Sequence, residues 1–182
     1  MRLKKFGICI KKQILEENFQ TIKKQMEFQK INYNFSLAID LAHKALKLDE
    51  VPVGAVITNK FGDVIGEGFN TKEADQNPCM HAEIISIQNA AKKIGNWRLE
   101  ECDIYVTLEP CIMCMGALSQ ARIRNIFFAA YDPKGGAISL GKNIHDDQRL
   151  NHRMNVFGGF KHIECSKIIS NFFKKKRLNY KK

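Results

Sequence analysis

The feature that most limits the architecture is an alternation along the chain. Short apolar, β-branched runs are separated by segments with helical periodicity. Residues 53–58, 64–69, 103–108 and 125–130 have the length and composition of strands, and 154–157 offers a short fifth. The turn residues at 59–63 make the first two runs a hairpin. A helix is expected over 34–48, capped by Asn34 or Ser36, with Leu37, Leu41, Ala45 and Leu48 on one face. A second is expected over 81–94, with Ile84, Ile87, Ala91 and Ile94 on one face and Gly95 as its stop. A third runs over 111–121 behind Pro110, and a last over 164–180. Residues 132–153, with Gly135, Gly136 and Gly141, form a long loop of the kind that tends to be functional. The order α-β-β-α-β-α-β-β-α predicts a three-layer α/β/α domain, a mixed five-stranded sheet flanked by helices.

A chain of 182 residues with 45% hydrophobic and 26% charged residues is an ordinary globular domain that needs no disulfide staple. No apolar run approaches the roughly 18 residues of a membrane span, and residues 1–25 lack a targeting pattern. The outlier is a net charge of +10. It is uneven: residues 1–25 carry +5, residues 171–182 carry +6, and the stretch between is close to neutral at −1. Residues 1–30 therefore read as a basic accessory extension, and residues 31–182 as one domain ending in a basic helix. Basic ends are either solvated or set against a polyanion such as nucleic acid, and charge alone does not choose.

The residues that carry chemistry open two of the expected helices. One is His81-Ala82-Glu83; the other is Pro110-Cys111-x-x-Cys114. Cys111 and Cys114 stand at i and i+3, so both thiols leave one face of a first turn, where the helix dipole lowers thiol pKa values. With His81 they make a His-Cys-Cys set that leaves one position of a tetrahedral zinc open, as catalytic sites do. Glu83, two residues from His81, is the carboxylate placed to move protons there. Two other readings compete: a structural Cys₃His site with Cys79 or Cys102 as fourth ligand, and thioredoxin-like redox chemistry at Cys111 and Cys114. The first leaves Glu83 without a task; the second ignores His81. Cys9, Cys79, Cys102 and Cys165 read as plain thiols, and His43 as a structural residue of its helix.

At this point the sequence resembles a known family. HAE followed by PCxxC is the signature of zinc-dependent nucleobase deaminases. The likeness extends to the bacterial tRNA adenosine deaminases through VPVGAV at 51–56, VIGEGFN at 64–70, HAEI at 81–84 and YVTLEPCIMCMGAL at 105–118. DPK at 132–134, SL at 139–140, NHR at 151–153 and the FF pair followed by basic residues from Phe172 continue it, over about residues 32–178. The resemblance implies a cytidine-deaminase-like fold and one Zn²⁺ per subunit, held by His81, Cys111 and Cys114. It implies that a zinc-activated water attacks the base while Glu83 shuttles protons, so that adenosine at the wobble position of a tRNA anticodon loop becomes inosine. Asn70 and the backbone around Ala82 and Pro110 would contact the base. Asp132, Asn151, Phe172 and Phe173 would line the groove for flanking nucleotides, with Lys174, Lys175, Lys176 and Arg177 near the RNA backbone. A homodimer in the cytoplasm, without membrane attachment, is implied as well.

The chain departs from the family pattern at residues 144–150, at Cys79-Met80 before HAE, and over 1–30, which has no counterpart. Two other activities share parts of this pattern. A deaminase of free cytosine, cytidine or guanine would carry the same metal site but need no basic terminal helix. A non-catalytic RNA-binding subunit would have no need of Glu83.

Overall fold

The computed structural model describes the backbone of residues 2–179 and the side chains of residues 20 and 23–179. Tyr180, the expected end of the last helix, and the Cys9 side chain lie outside the described residues. Two compact units divide the chain, Met1–Tyr33 and Asn34–Lys182. Helix α1 (Arg2–Lys47) takes in residues 2–33 of the first and 34–47 of the second. There follow β1 (Gly54–Thr58), β2 (Val64–Phe69), α2 (Ala82–Ile94), β3 (Asp103–Leu108), α3 (Ile112–Gln120), β4 (Asn125–Ala130), a 3₁₀ turn at Ile144–Asp146, β5 (Asn155–Gly158) and α4 (His162–Asn179). Among the described residues no helix is long and apolar enough to cross a membrane.

The five strands form one mixed sheet in the order β2-β1-β3-β4-β5. β1 is antiparallel to β2 and β3, while β3, β4 and β5 run parallel. Alternation along the strands gives the sheet two apolar faces. One carries Ala55, Ile57, Ile104, Val106, Ile126 and Phe128, packed against Ala82 and Ala90 of α2 and Met115 and Leu118 of α3. The other carries Val56 against Ala38 and Leu41 of α1. On that same face Tyr105 stacks on Phe127 at 4.9 Å and Phe127 on Phe157 at 5.1 Å. Phe35 of α1 meets Tyr105 edge-on at 5.8 Å, and Phe160, just ahead of α4, stacks on Phe35 at 5.6 Å. With α4 also packed on β3 and β4, the domain has the three layers expected.

β2, β3 and β4 fall on the expected residues, and Gly95 ends α2 in the left-handed conformation at φ 68°. Elsewhere the structure corrects the reading. The helix expected to start at residue 34 starts at Arg2 instead. Asn34 caps nothing; it is buried within α1. Leu48 lies past the end of α1 and is exposed, and so is His43. The innermost side of α2 is not the isoleucine face but Ala82, Glu83, Ser86 and Ala90, with Ile94 exposed. The cause is close packing on β2. A Cβ on Gly68 would meet the Ala82 carbonyl oxygen and stand 2.6 Å from the Ser86 nitrogen; one on Gly66 would meet the Ser86 oxygen. Only small helix residues fit where backbones come this near.

Gly68 thereby sets the height of α2, including the turn that carries His81 and Glu83. Gly68→Ala is expected to lower stability by about 2–3 kcal/mol, because the added methyl meets helix backbone that cannot step aside. A urea denaturation series on both proteins measures it through a lower midpoint at unchanged slope.

Candidate active site

The C-terminal ends of β2, β3 and β4 open on one edge of the sheet, where α2 and α3 begin. Open α/β sheets bind ligands at this edge. His81 is the residue before α2, and Cys111 the residue before α3, with Cys114 inside the first turn. His81 Nδ1 lies 3.7 Å from Cys111 Sγ and 3.6 Å from Cys114 Sγ. All three ligand atoms lie within 4.8 Å of one another. A tetrahedral zinc with ordinary Zn–S and Zn–N bonds would hold its nitrogen and sulfur ligands about 3.6 Å apart, and both distances from His81 match that. The fourth-cysteine alternative finds no support: Cys79 is exposed and outside the group, and Cys102 sits before the opposite end of β3.

Without a metal the three groups share protons among themselves. The hydrogen bond from the Cys114 thiol, helped by His81, holds Cys111 down to about 4. The same bond, with burial, pushes Cys114 up. His81 is raised by its hydrogen bond to Cys111. Glu83 is buried at 4% exposure, and loss of solvent pushes its carboxyl up to about 7. It lies within hydrogen-bonding reach of Cys114. Burial thus gives Glu83 a proton affinity near neutrality, where a group that both takes and gives protons works best.

A cavity of about 640 Å³ adjoins the set and is lined by His81, Glu83 and Cys111 among others. Asn70 lines it too, 8% exposed. Its Oδ1 accepts the Ala82 N–H at 2.8 Å, which satisfies one of the free donors at the start of α2 and fixes which way the amide faces. The Ala82 N–H is therefore already engaged, and the Pro110 carbonyl accepts the Ala137 N–H at 2.9 Å.

The remaining expected residues divide. Asp132, Phe173 and Arg177 line the cavity. Asn151 is exposed on the loop before β5 and does not appear among the lining residues. Phe172 faces inward at 6% exposure with Phe173 edge-on to it at 5.3 Å, so it is not free to stack on a base. Lys174 and Lys175 are exposed on α4. Lys176 is instead committed within the protein, 2.6 Å from the Asp49 carboxylate and over the Phe172 ring at 5.4 Å.

The structure adds residues that the sequence reading passed over. Lys72 and Lys134 join Arg177 as cations on the cavity wall. Glu50, 1% exposed, also lines it and accepts the Glu73 and Ala74 N–H groups at 2.7 and 2.8 Å. Glu109, 2% exposed, accepts from Asp132 and Ser139. Glu50 immediately precedes VPVGAV and Glu109 stands inside YVTLEPCIMCMGAL, and an acid set against an apolar motif is the signal that could have found them.

Comparison with known proteins agrees with this geometry. The model of the MafB19-like deaminase family matches residues 25–177. A tRNA-specific adenosine deaminase of Haemophilus influenzae is 46% identical over 140 residues, which span 77% of this chain and 81% of that protein. A structure solved in a study of A-to-I editing by tRNA:A34 deaminases at the wobble position is 39% identical with a TM-score of 0.72, covering 75% of this chain and 99% of that one. The guanine deaminase of Bacillus subtilis stands further off, at 32% identity and a TM-score of 0.53 over 61% of this chain and 68% of that one. The sheet and its helices are those of the cytidine-deaminase-like fold these structures share.

Proposed function

The chain belongs to the tRNA-specific adenosine deaminase family, and from that premise we propose that it hydrolyses adenosine to inosine at the wobble position of a tRNA anticodon loop. The observation that carries this is the convergence of His81, Cys111 and Cys114 on one point beside buried Glu83, in a cavity walled by Lys72, Lys134 and Arg177. Residues 31–182 remain the proposed deaminase domain and 1–30 a proposed accessory extension; the family model's match over 25–177 covers most of the first and the last six residues of the second.

In this reading His81, Cys111 and Cys114 hold one zinc ion per subunit. The ion would supply Lewis acidity that lowers the pKa of a water enough to make it a nucleophile at neutral pH. Glu83 would take one proton of that water as its oxygen bonds to C6, and deliver it to N1 of the adenine. It would then move the proton of the new C6 hydroxyl to the amino group, so that the C6–N bond breaks, ammonia leaves and a carbonyl remains at C6. Asn70 orients the base with the amide nitrogen that its bond to Ala82 leaves free for the cavity. Asp132 and Phe173 meet the neighbouring nucleotides, and Arg177, with Lys174 and Lys175, meets their phosphates. A splayed single-stranded loop suits such a cavity, since its bases are already unstacked. Ile112 and Met113 of α3, both exposed and apolar, offer a face for the second copy of a homodimer. Thiolate ligands and a tRNA substrate suit a reducing, cytoplasmic setting.

The reading is tested by offering the protein an anticodon stem-loop with adenosine at the wobble position, beside free guanine and cytidine. Inosine is expected from the stem-loop only, and apparent affinity should fall steeply with salt because phosphates are contacted. Turnover of free guanine or cytidine with the stem-loop untouched would favour a free-base deaminase instead.

A further inference from the structure

We propose that Glu109 is a positioning residue that fixes the nucleotide-facing wall of the cavity to the metal-binding turn; this rests on the reading of the site as an RNA adenosine deaminase. Glu109 follows β3 and stands two residues ahead of Cys111. Its own N–H donates to the Ala130 carbonyl at 2.8 Å, which ties it to the end of β4. Its side chain turns into the loop that follows β4. Oε2 accepts the Asp132 N–H at 2.9 Å and the Ser139 hydroxyl at 2.5 Å, and Oε1 accepts the Ser139 N–H at 2.7 Å.

The loop is moulded over this carboxylate. A Cβ on Gly136 would lie 2.5 Å from either Glu109 oxygen, so only glycine lets the backbone pass. Gly136 also bridges to Cys111, and the Ala137 N–H donates to the Pro110 carbonyl at 2.9 Å. A carboxylate buried at 2% exposure is costly unless its oxygens are satisfied. Here every side-chain bond it accepts comes from Asp132 or Ser139, in the first part of one loop. Asp132, Pro133 and Lys134, where that loop begins, line the cavity.

The consequence is mechanical. The Glu109 side chain adds to the backbone ties at Gly136 and Ala137 and alone reaches Asp132, where the cavity wall begins. A Gln at 109 has the same shape but turns one acceptor into a donor facing an N–H or a hydroxyl. The wall then loosens while the metal ligands keep their own turns. Binding of the flanking nucleotides, rather than the chemical step, should suffer.

The test uses full-length, zinc-loaded protein with Glu109→Gln and Ser139→Ala. For Glu109→Gln, zinc content should stay that of the wild type, KM for the wobble-adenosine stem-loop should rise about tenfold, and kcat should stay within about threefold. Amide exchange at Asp132 and Ser139 should accelerate in the same protein. Ser139→Ala, which removes one bond of three and leaves the acid in place, should raise KM by about threefold and serves if the first variant folds poorly. Loss of zinc or of kcat with KM unchanged would overturn the proposal, as would unchanged exchange at both amides. Stem-loop turnover by the wild type tests the functional reading separately, and the exchange measurement decides the clamp whether or not that turnover is found.

Discussion

Glu83→Gln is expected to bind zinc as the wild type does and to lower kcat on a wobble-adenosine stem-loop by about 10³-fold or more, with KM little changed. The side chain keeps its size in its buried pocket, and the ligands His81, Cys111 and Cys114 remain. What is lost is the group that carries protons from water to the base and to the leaving amine, a role worth roughly 10²–10⁴-fold in general acid–base catalysis. Single-turnover kinetics with metal analysis on the same sample separates this from a loss of metal. The substitution has an opposite effect on stability. Burial raises the Glu83 carboxyl to about 7 in the folded, metal-free protein, above the value of an unfolded glutamate. The folded state thus prefers the protonated form, and stability is full below the unfolded pKa and is lost as pH rises toward 7. Metal-free Glu83→Gln, which cannot ionise, should therefore be more stable than metal-free wild type at pH 8, by roughly 1–3 kcal/mol. The two should converge below about pH 4.5, where the glutamate is protonated in both states. Thermal unfolding of both proteins across that range measures the difference.

The other large effect belongs to the metal ligands. Cys114→Ser should reduce bound zinc from about one per chain to less than about a tenth and bring deamination to background. Cys114 is fully buried in the first turn of α3, with its sulfur 3.6 Å from His81 Nδ1, and no other described Cys, His or acid joins the group to replace it. Removing the metal from wild type with a strong chelator should have the same effect on activity. Added zinc should restore wild type and leave Cys114→Ser inactive. A Cys114→Ser protein that keeps both zinc and activity would contradict the assignment of the ligands.

Much of this was legible because it is local. β3 and β4 are continuous apolar runs with cover on both faces, a pattern that admits few alternatives. His81-Ala82-Glu83 and Cys111-x-x-Cys114 each place their groups within a turn, so only the meeting of the two motifs depended on the fold. What escaped was decided by partners far along the chain. No Pro interrupts residues 2–33, so α1 runs on through Asn34 and the cap it offers is not needed. The isoleucines of α2 promised the core face, but Gly66 and Gly68 bring the strand so close that alanine and serine hold it. Phe172 and Phe173 were read as a pair facing one groove. Neighbours on a helix point about 100° apart, and only Phe173 reaches the cavity. The basic run was read as uniform, yet Lys176 answers Asp49 at the end of α1 while Arg177 turns to the site. The role of Glu109 is invisible inside its motif, because its partners Asp132 and Ser139 lie beyond β4.

The central claim is hydrolysis at one base, and isotope labelling tests it most directly. The zinc-loaded protein is incubated with a wobble-adenosine anticodon stem-loop in ¹⁸O-labelled water, and the product is digested and analysed by mass spectrometry. The account predicts inosine at the wobble position alone, carrying one ¹⁸O at C6, with one ammonia released for each. Absence of inosine from the zinc-loaded wild type, or inosine without the label, would contradict it.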